Sequence, residues 1–231
     1  MTRTVLTRRR FAAGAASLAG LSLAGCTTAG PSRRAAEIAT APPAPSRPTS
    51  SVVTAYGPMP GERFPLPAID ISKVPPQFWR QQVAYPTPEP PGTLVVDTGN
   101  FFLYLVQEGG QAMRYGVGLG RAGFEWSGRG RVAYKRPWPT WTPPDEMIAR
   151  EPDLERWSVR NGGMPPGLDN PLGARALYIF DGGVDTLYRV HGSPEHWTIG
   201  KAVSSGCVRM MQQDVIDLYD RVPTPAPIVV T

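Results

Sequence analysis

Regular alternation of apolar and polar positions begins near Gly92. Thr93-Leu94-Val95-Val96-Asp97 and Phe101-Phe102-Leu103-Tyr104-Leu105-Val106 are β-branched and aromatic runs separated by Thr98-Gly99-Asn100, a pattern that predicts a hairpin. Met113 to Leu119 reads as a third strand and Arg131 to Lys135 as a fourth. Ala176-Leu177-Tyr178-Ile179-Phe180 and Leu187-Tyr188-Arg189-Val190-His191 flank Asp181-Gly182-Gly183-Val184-Asp185, a second hairpin, and Pro227 to Val230 forms a closing strand. Two short helices fit: one from Thr142-Pro143-Pro144-Asp145 to about Arg150, and one from Met211 to Tyr219 with Val215, Ile216 and Tyr219 on one face. Residues 161–173 form a Gly/Pro loop. Short strands dominate, so residues 92–231 are expected to be one mainly β domain with a few short helices, without internal repeats.

The chain upstream lacks this patterning. Residues 31–68 hold nine prolines and little apolar periodicity. The block 26–68 is therefore expected to be an extended tether. Residues 69–91 remain Pro-rich but contain Ile69, Ile71, Phe78, Trp79 and Tyr85, which predicts a lead-in strapped onto the domain. The 25 Gly and 27 Pro of the 231 residues fit this division, while 41% hydrophobic and 19% charged residues exclude a wholly disordered chain. The net charge of +5 resides mostly in Arg3, Arg8, Arg9 and Arg10; the remaining chain carries about +1 and no basic stripe interleaved with aromatics, so no nucleic-acid partner is expected.

Residues 1–25 join that basic stretch to a short Ala/Gly-rich apolar run, too short to span a bilayer comfortably. Thr7-Arg8-Arg9-Arg10-Phe11 resembles a bacterial twin-arginine signal, and Leu23-Ala24-Gly25-Cys26 resembles a lipobox. The resemblance implies cleavage before Cys26, a lipid on its sulfur and a periplasmic domain anchored to a membrane. Thr27 favours the outer membrane under the enteric sorting rule. An ordinary cleaved signal with a chance cysteine is the alternative. An extracytoplasmic address argues against ATP or NAD chemistry, and no cofactor is expected.

Only two cysteines exist, Cys26 and Cys207. If Cys26 is lipidated, Cys207 is an isolated thiol in an oxidising compartment, a liability unless it has a task; a Cys26–Cys207 disulfide is the alternative. The only histidines, His191 and His196, lie shortly before Cys207. An imidazole can take a thiol proton and later return it to a leaving amine. Gly206 lets the backbone bend closely under a substrate carbonyl, and the N–H groups of Ser205, Gly206 and Cys207 could converge on one oxyanion. Arg209, two residues on, would share the sulfur's face in a strand and lower its pKa. A buried, inert cysteine is the competing reading. A zinc site from His191, His196 and Cys207 matches no familiar spacing, so no metal is expected.

Gly118-Leu119-Gly120-Arg121-Ala122-Gly123 fits G-x-G-x-x-G but opens no helix, so its glycines are assigned to turns rather than a dinucleotide. Trp126, Trp138, Trp141 and Trp157 fit core or rim packing better than sugar stacking. Tyr188, three residues before His191 on one predicted strand, is expected to face away from it.

His191-Gly192, then Ser204-Ser205-Gly206-Cys207-Val208-Arg209, resembles the catalytic motif of the L,D-transpeptidases: His, a gap, Ser/Thr-His-Gly-Cys, a hydrophobic residue, then Arg or Asn. Ser205 stands where the family often has His, which leaves His191 as the base within the motif; His196, in its Ser-Pro-Glu-His-Trp loop, could substitute but reads as substrate-side or structural. The resemblance covers about residues 92–231 and implies a small β-sandwich or barrel-like catalytic domain. It implies Cys207 as nucleophile, His191 as base, and supporting roles for Ser204, Ser205, Gly206, Arg209 and Gly192. The implied substrate is the peptidoglycan stem peptide: Cys207 attacks the third residue, D-alanine leaves, and a second stem peptide, an envelope protein or water takes the acyl group. A hydrolase on the same site and a catalytically silent peptidoglycan-binding module are the rival readings. Ser-x-x-Lys and Lys-Thr-Gly are absent, which excludes a serine D,D-transpeptidase.

Overall fold

The computed structural model describes residues 49–120, 127–204 and 206–231. Eleven strands are present among them: β1 (Gln81–Ala84), β2 (Leu94–Asp97), β3 (Phe102–Gln107), β4 (Gln111–Gly116), β5 (Leu119–Gly120), β6 (Gly128–Pro137), β7 (Arg175–Asp181), β8 (Val184–Gly192), β9 (Ala202–Ser204), β10 (Val208–Met210) and β11 (Ala226–Val230). The helices are α1 (Ser50–Ala55), α2 (Asp145–Arg150) and α3 (Gln212–Arg221), joined by several 3-10 turns. Nine strands form one sheet in the order β1-β4-β3-β2-β11-β6-β7-β8-β10, and β5 pairs with β9. This is the mainly β fold with few short helices that the patterning predicts.

Both predicted hairpins form. β2 and β3 pair antiparallel with Leu94 opposite Leu105 and Val96 opposite Leu103, and all four side chains are buried. Between β7 and β8 the turn is tighter than expected, because Gly182 and Gly183 take φ of 53° and 90° and close it in two residues. The core gathers the apolar residues of these strands with Val208 and Met210 of β10 and Val215 and Leu218 of α3. α2 starts after Pro144 without a side-chain cap, so Thr142 does not cap it; Asp145 and Glu146 in its first turn complement the helix dipole instead.

Part of the block expected to be a tether is folded. Residues 49–68 belong to the folded unit: Tyr56 and Leu66 are buried. Gln213 of α3 donates to the carbonyls of Gly57 and Pro67 at 3.0 and 3.1 Å. Pro-rich composition hides this docking because isolated anchors have no periodicity to detect. The lead-in is bound as expected, and its Gln81–Ala84 segment adds the edge strand β1 to β4. Tyr56 donates to Asp214 at 3.2 Å and accepts from the Arg80 N–H at 2.6 Å, tying both segments to α3.

Glu62 is the strongest clasp. Arg175 of β7 grips its two carboxylate oxygens at 2.9 and 2.7 Å, and the Trp138 indole N–H donates to it at 2.9 Å. The Arg175 hydrogen bonds hold its carboxyl below the usual glutamate range. Trp138 is thus a core residue with a satisfied N–H, as expected from packing. Glu62→Ala is expected to cost about 2 kcal/mol in urea unfolding, since it strands a mostly buried guanidinium and an indole N–H. An unchanged unfolding midpoint would show that this segment is only loosely attached.

Candidate active site

β10 lies parallel to β8, with Val208 beside Val190, Arg209 beside His191 and Met210 beside Gly192. Val190, Val208 and Met210 enter the core, so His191 and Arg209 share the opposite face. Cys207 immediately precedes β10, two residues from Arg209, which puts it on that face alongside Arg189. The parallel pairing of β8 with β10 thus brings together segments separated by fifteen residues of chain, with His191 inside β8 and Cys207 just before β10.

His191 is only 4% exposed. Its Nδ1 lies 2.6 Å from the Gly192 carbonyl; a carbonyl only accepts, so Nδ1 carries the proton and Nε2 holds a lone pair. Burial brings the imidazole pKa down to about 4, with Arg209 and Arg189 pushing the same way and the Gly192 and Pro171 carbonyls opposing. The imidazole is neutral at pH 7. Burial also raises the Cys207 thiol, against the Arg189 N–H and the guanidinium groups of Arg189 and Arg209. Cys207 therefore rests as a thiol and His191 as a neutral imidazole.

The imidazole also links stability to pH. Between about pH 6.5 and 4 the unfolded chain takes up a proton that the folded state refuses, so this group's contribution is lost as pH falls through that window, by about 3 kcal/mol in total. Buried Asp214, pushed up to about 7, has the opposite sign and offsets it over the same range. His191→Asn is therefore expected to gain about 2 kcal/mol relative to the parent between pH 7 and 4.5 in denaturant unfolding. Parallel pH dependence in the two proteins would refute the burial of a neutral imidazole.

Gly206 adopts φ +135°, a backbone region that only glycine enters at low cost, so the residue before the sulfur must be glycine. It is buried against β5: a Cβ on Gly120 would overlap the Gly206 backbone, and one on Gly118 would come within 2.8 Å of the Thr198 carbonyl. These two glycines permit close backbone approach rather than a turn, correcting the expectation. Gly118 also exchanges two backbone hydrogen bonds with Arg209, at 2.9 and 2.7 Å. Ser204 ends β9 opposite Gly120. Ser205, Cys26, Gly123 and Trp126 lie outside the described residues, so their expected roles have no structural counterpart here.

Arg209 pairs with Glu195 at 2.6 Å. His196 follows in a 3-10 turn, where burial lowers its pKa, with Lys73 adding to the effect. Arg189 escaped the sequence reading, and Tyr188 lies nearer the site than that reading gave. Arg189 binds Asp185 through two hydrogen bonds of 2.7 and 2.8 Å, lies over the Tyr178 ring at 4.4 Å and contributes to the field on both Cys207 and His191. Tyr188 packs on the core, away from His191 as expected, yet its ring edge comes within 3.4 Å of where a Gly206 Cβ would lie. Its place follows from a bulge: Leu187 takes φ 63° and the β7–β8 register shifts beside it.

The chain is similar to several known proteins. The chain is 32% identical over 141 residues to "Probable L,D-transpeptidase YbiS" of Escherichia coli, covering 56% of this chain and 41% of that one. It is 33% identical over 135 residues to "Probable L,D-transpeptidase ErfK/SrfK" of the same organism, with the same coverages. The chain thus spans less than half the length of either relative. A crystal structure from Brucella melitensis described as a "Probable carnitine operon oxidoreductase caia" is 44% identical, with 67% of this chain and 94% of that chain covered and a TM-score of 0.48. The model of the YkuD family, the L,D-transpeptidase catalytic domain, matches residues 91–230. The chain belongs to the L,D-transpeptidase catalytic domain family.

Proposed function

We propose that the protein is a peptidoglycan L,D-transpeptidase with Cys207 as nucleophile and His191 as base. The observation that carries this reading is the parallel β8–β10 pairing, with Cys207 and a neutral, Nδ1-protonated His191 on one face. Cys207 attacks the carbonyl at the L-centre of the third stem-peptide residue while its proton passes to His191 Nε2. The peptide C–N bond breaks, D-alanine departs with that proton, and a thioester remains. An amine of a second stem peptide attacks the thioester, giving a 3→3 cross-link and restoring the thiol. The N–H groups of Gly206 and Cys207 are the described candidates for the oxyanion donors.

The same reading places the domain outside the cytoplasm. Residues 1–25 act as a twin-arginine signal, Cys26 carries the lipid, residues from 26 to about 48 form the tether, and the folded unit from residue 49 works in the periplasm. Envelope proteins are alternative acyl acceptors at the same thioester.

The test is intact-protein mass spectrometry with a disaccharide-tetrapeptide. A transient adduct on Cys207 with loss of D-alanine supports the acyl-enzyme. Dimeric muropeptide then identifies transpeptidation, whereas tripeptide alone makes the protein a carboxypeptidase. With a reduced, folded protein, absence of both adduct and product rejects the reading.

A further inference from the structure

His191 works only if its Nδ1 keeps a proton and its Nε2 faces the sulfur. Gly192, which accepts from Nδ1, ends β8 and sits under other parts of the chain. The first turn of α3 reaches it: a Cβ on Gly192 would overlap Gln212 Oε1, and one on Gly173 would come within 2.5 Å of Oε1, 2.6 Å of Nε2 and 2.8 Å of the Gly192 carbonyl carbon. Gln212 is 7% exposed, and its Oε1 accepts from the Ala174 N–H at 2.9 Å. One buried amide is thus wedged between the strand that carries the base and the loop beside it.

That loop adjoins the imidazole, whose proton the Pro171 carbonyl favours. Fully buried Asn170 anchors it from the other side: Nδ2 lies 3.1, 3.2 and 3.0 Å from the carbonyls of Pro139, Met164 and Pro165, and Oδ1 accepts from the Leu172 N–H at 2.9 Å. Gly173 needs its φ of +61° to pass between Gln212 and Gly192. No apolar residue of Gln212's length could satisfy the Ala174 N–H, and burial of an unsatisfied donor costs the loop its position.

We propose that Gln212 is a positioning residue for the base: wedged between Gly192 and the 170–174 loop, it keeps the Gly192 carbonyl on His191 Nδ1. It touches no reacting atom. The neighbouring side chains of its turn, Gln213 and Asp214, bind residues 56, 57, 67 and 80, so docking of residues 49–80 holds the wedge in place. This proposal rests on the reading of His191 as base.

The test is nitrogen-15 NMR of the two histidines in the full chain, with His196→Gln used for assignment, beside the pH profile of kcat. The charged groups facing His191 are Arg189 on its own strand and Arg209 on β10, and both are kept in every variant. In Gln212→Met, His191 is expected to lose its exclusive Nδ1–H tautomer and to titrate above 4, toward 6.5. kcat should fall by roughly tenfold to a hundredfold with KM little changed. Gln212→Asn, shorter by a methylene and unable to span to Ala174, should shift the same signals in a folded protein if the Met variant is too unstable. A folded variant that keeps the parent tautomer and titration overturns the proposal even if its melting temperature falls. A parent protein that never acylates on Cys207 overturns the mechanism, but the tautomer measurement still judges the wedge.

Discussion

Cys207→Ala is expected to abolish both the adduct and turnover, a loss on the order of 10⁴-fold or more, while the fold is retained. Cys207 is half-buried at the start of a three-residue strand, and the core beneath is built by Val208 and Met210, so a small side chain there leaves the packing intact. His191→Ala should lose about 10²- to 10⁴-fold by a different route. The thiol remains, but its pKa lies above the ordinary value and the proposed proton acceptor is gone. In that variant activity should rise with pH as free thiolate accumulates, whereas the parent should hold a plateau down to an acid limb near pH 4, set by the imidazole. The parent profile on purified muropeptide decides this. An acid limb near 6.5 would mean that the imidazole is solvated during catalysis, and full activity in either alanine variant would remove the residue from the mechanism.

Gly120→Ala should be nearly as damaging, although Gly120 has no chemistry. A methyl group there overlaps the backbone of Gly206, not the end of a flexible side chain. The segment before Cys207 must move, and it cannot do so freely because Gly206 is already committed to φ +135°. Overpacking of this kind costs about 1–3 kcal/mol, and displacement of the sulfur by roughly 1 Å can cost about 10²-fold in rate. The signature is loss of acylation in a protein that still melts cooperatively. Gly128→Ala serves as control, because a Cβ there meets nothing within 4 Å, although its φ of +127° adds some strain. Equal acylation rates in Gly120→Ala and the parent would show that β5 does not set the position of the nucleophile.

The sequence by itself determined the mainly β class, both hairpins, the closing strand, the helix after Met211 and the pairing of Cys207 with His191 as candidates. Each depends on a local signal: a period of two, a Gly-Gly turn, an apolar stripe, a short motif. It singled out Gly206 for close approach to a substrate carbonyl; the φ of +135° that demands glycine there emerged only from the structure. Tertiary structure alone decided the rest, because those features are contacts between distant segments. The use of Gly118 and Gly120 depends on β5 crossing the nucleophile segment. Arg189 matters because β10 docks beside it, and Gln212 because its helix start is pressed between Gly192 and Gly173. Residues 49–68 looked like tether because Tyr56, Glu62 and Leu66 are single anchors, each meaningful only once α3, β7 and Trp138 are in place. The shifted pKa of His191 belongs to this second class too: desolvation comes from whatever packs over a group, and no spacing along the chain encodes it.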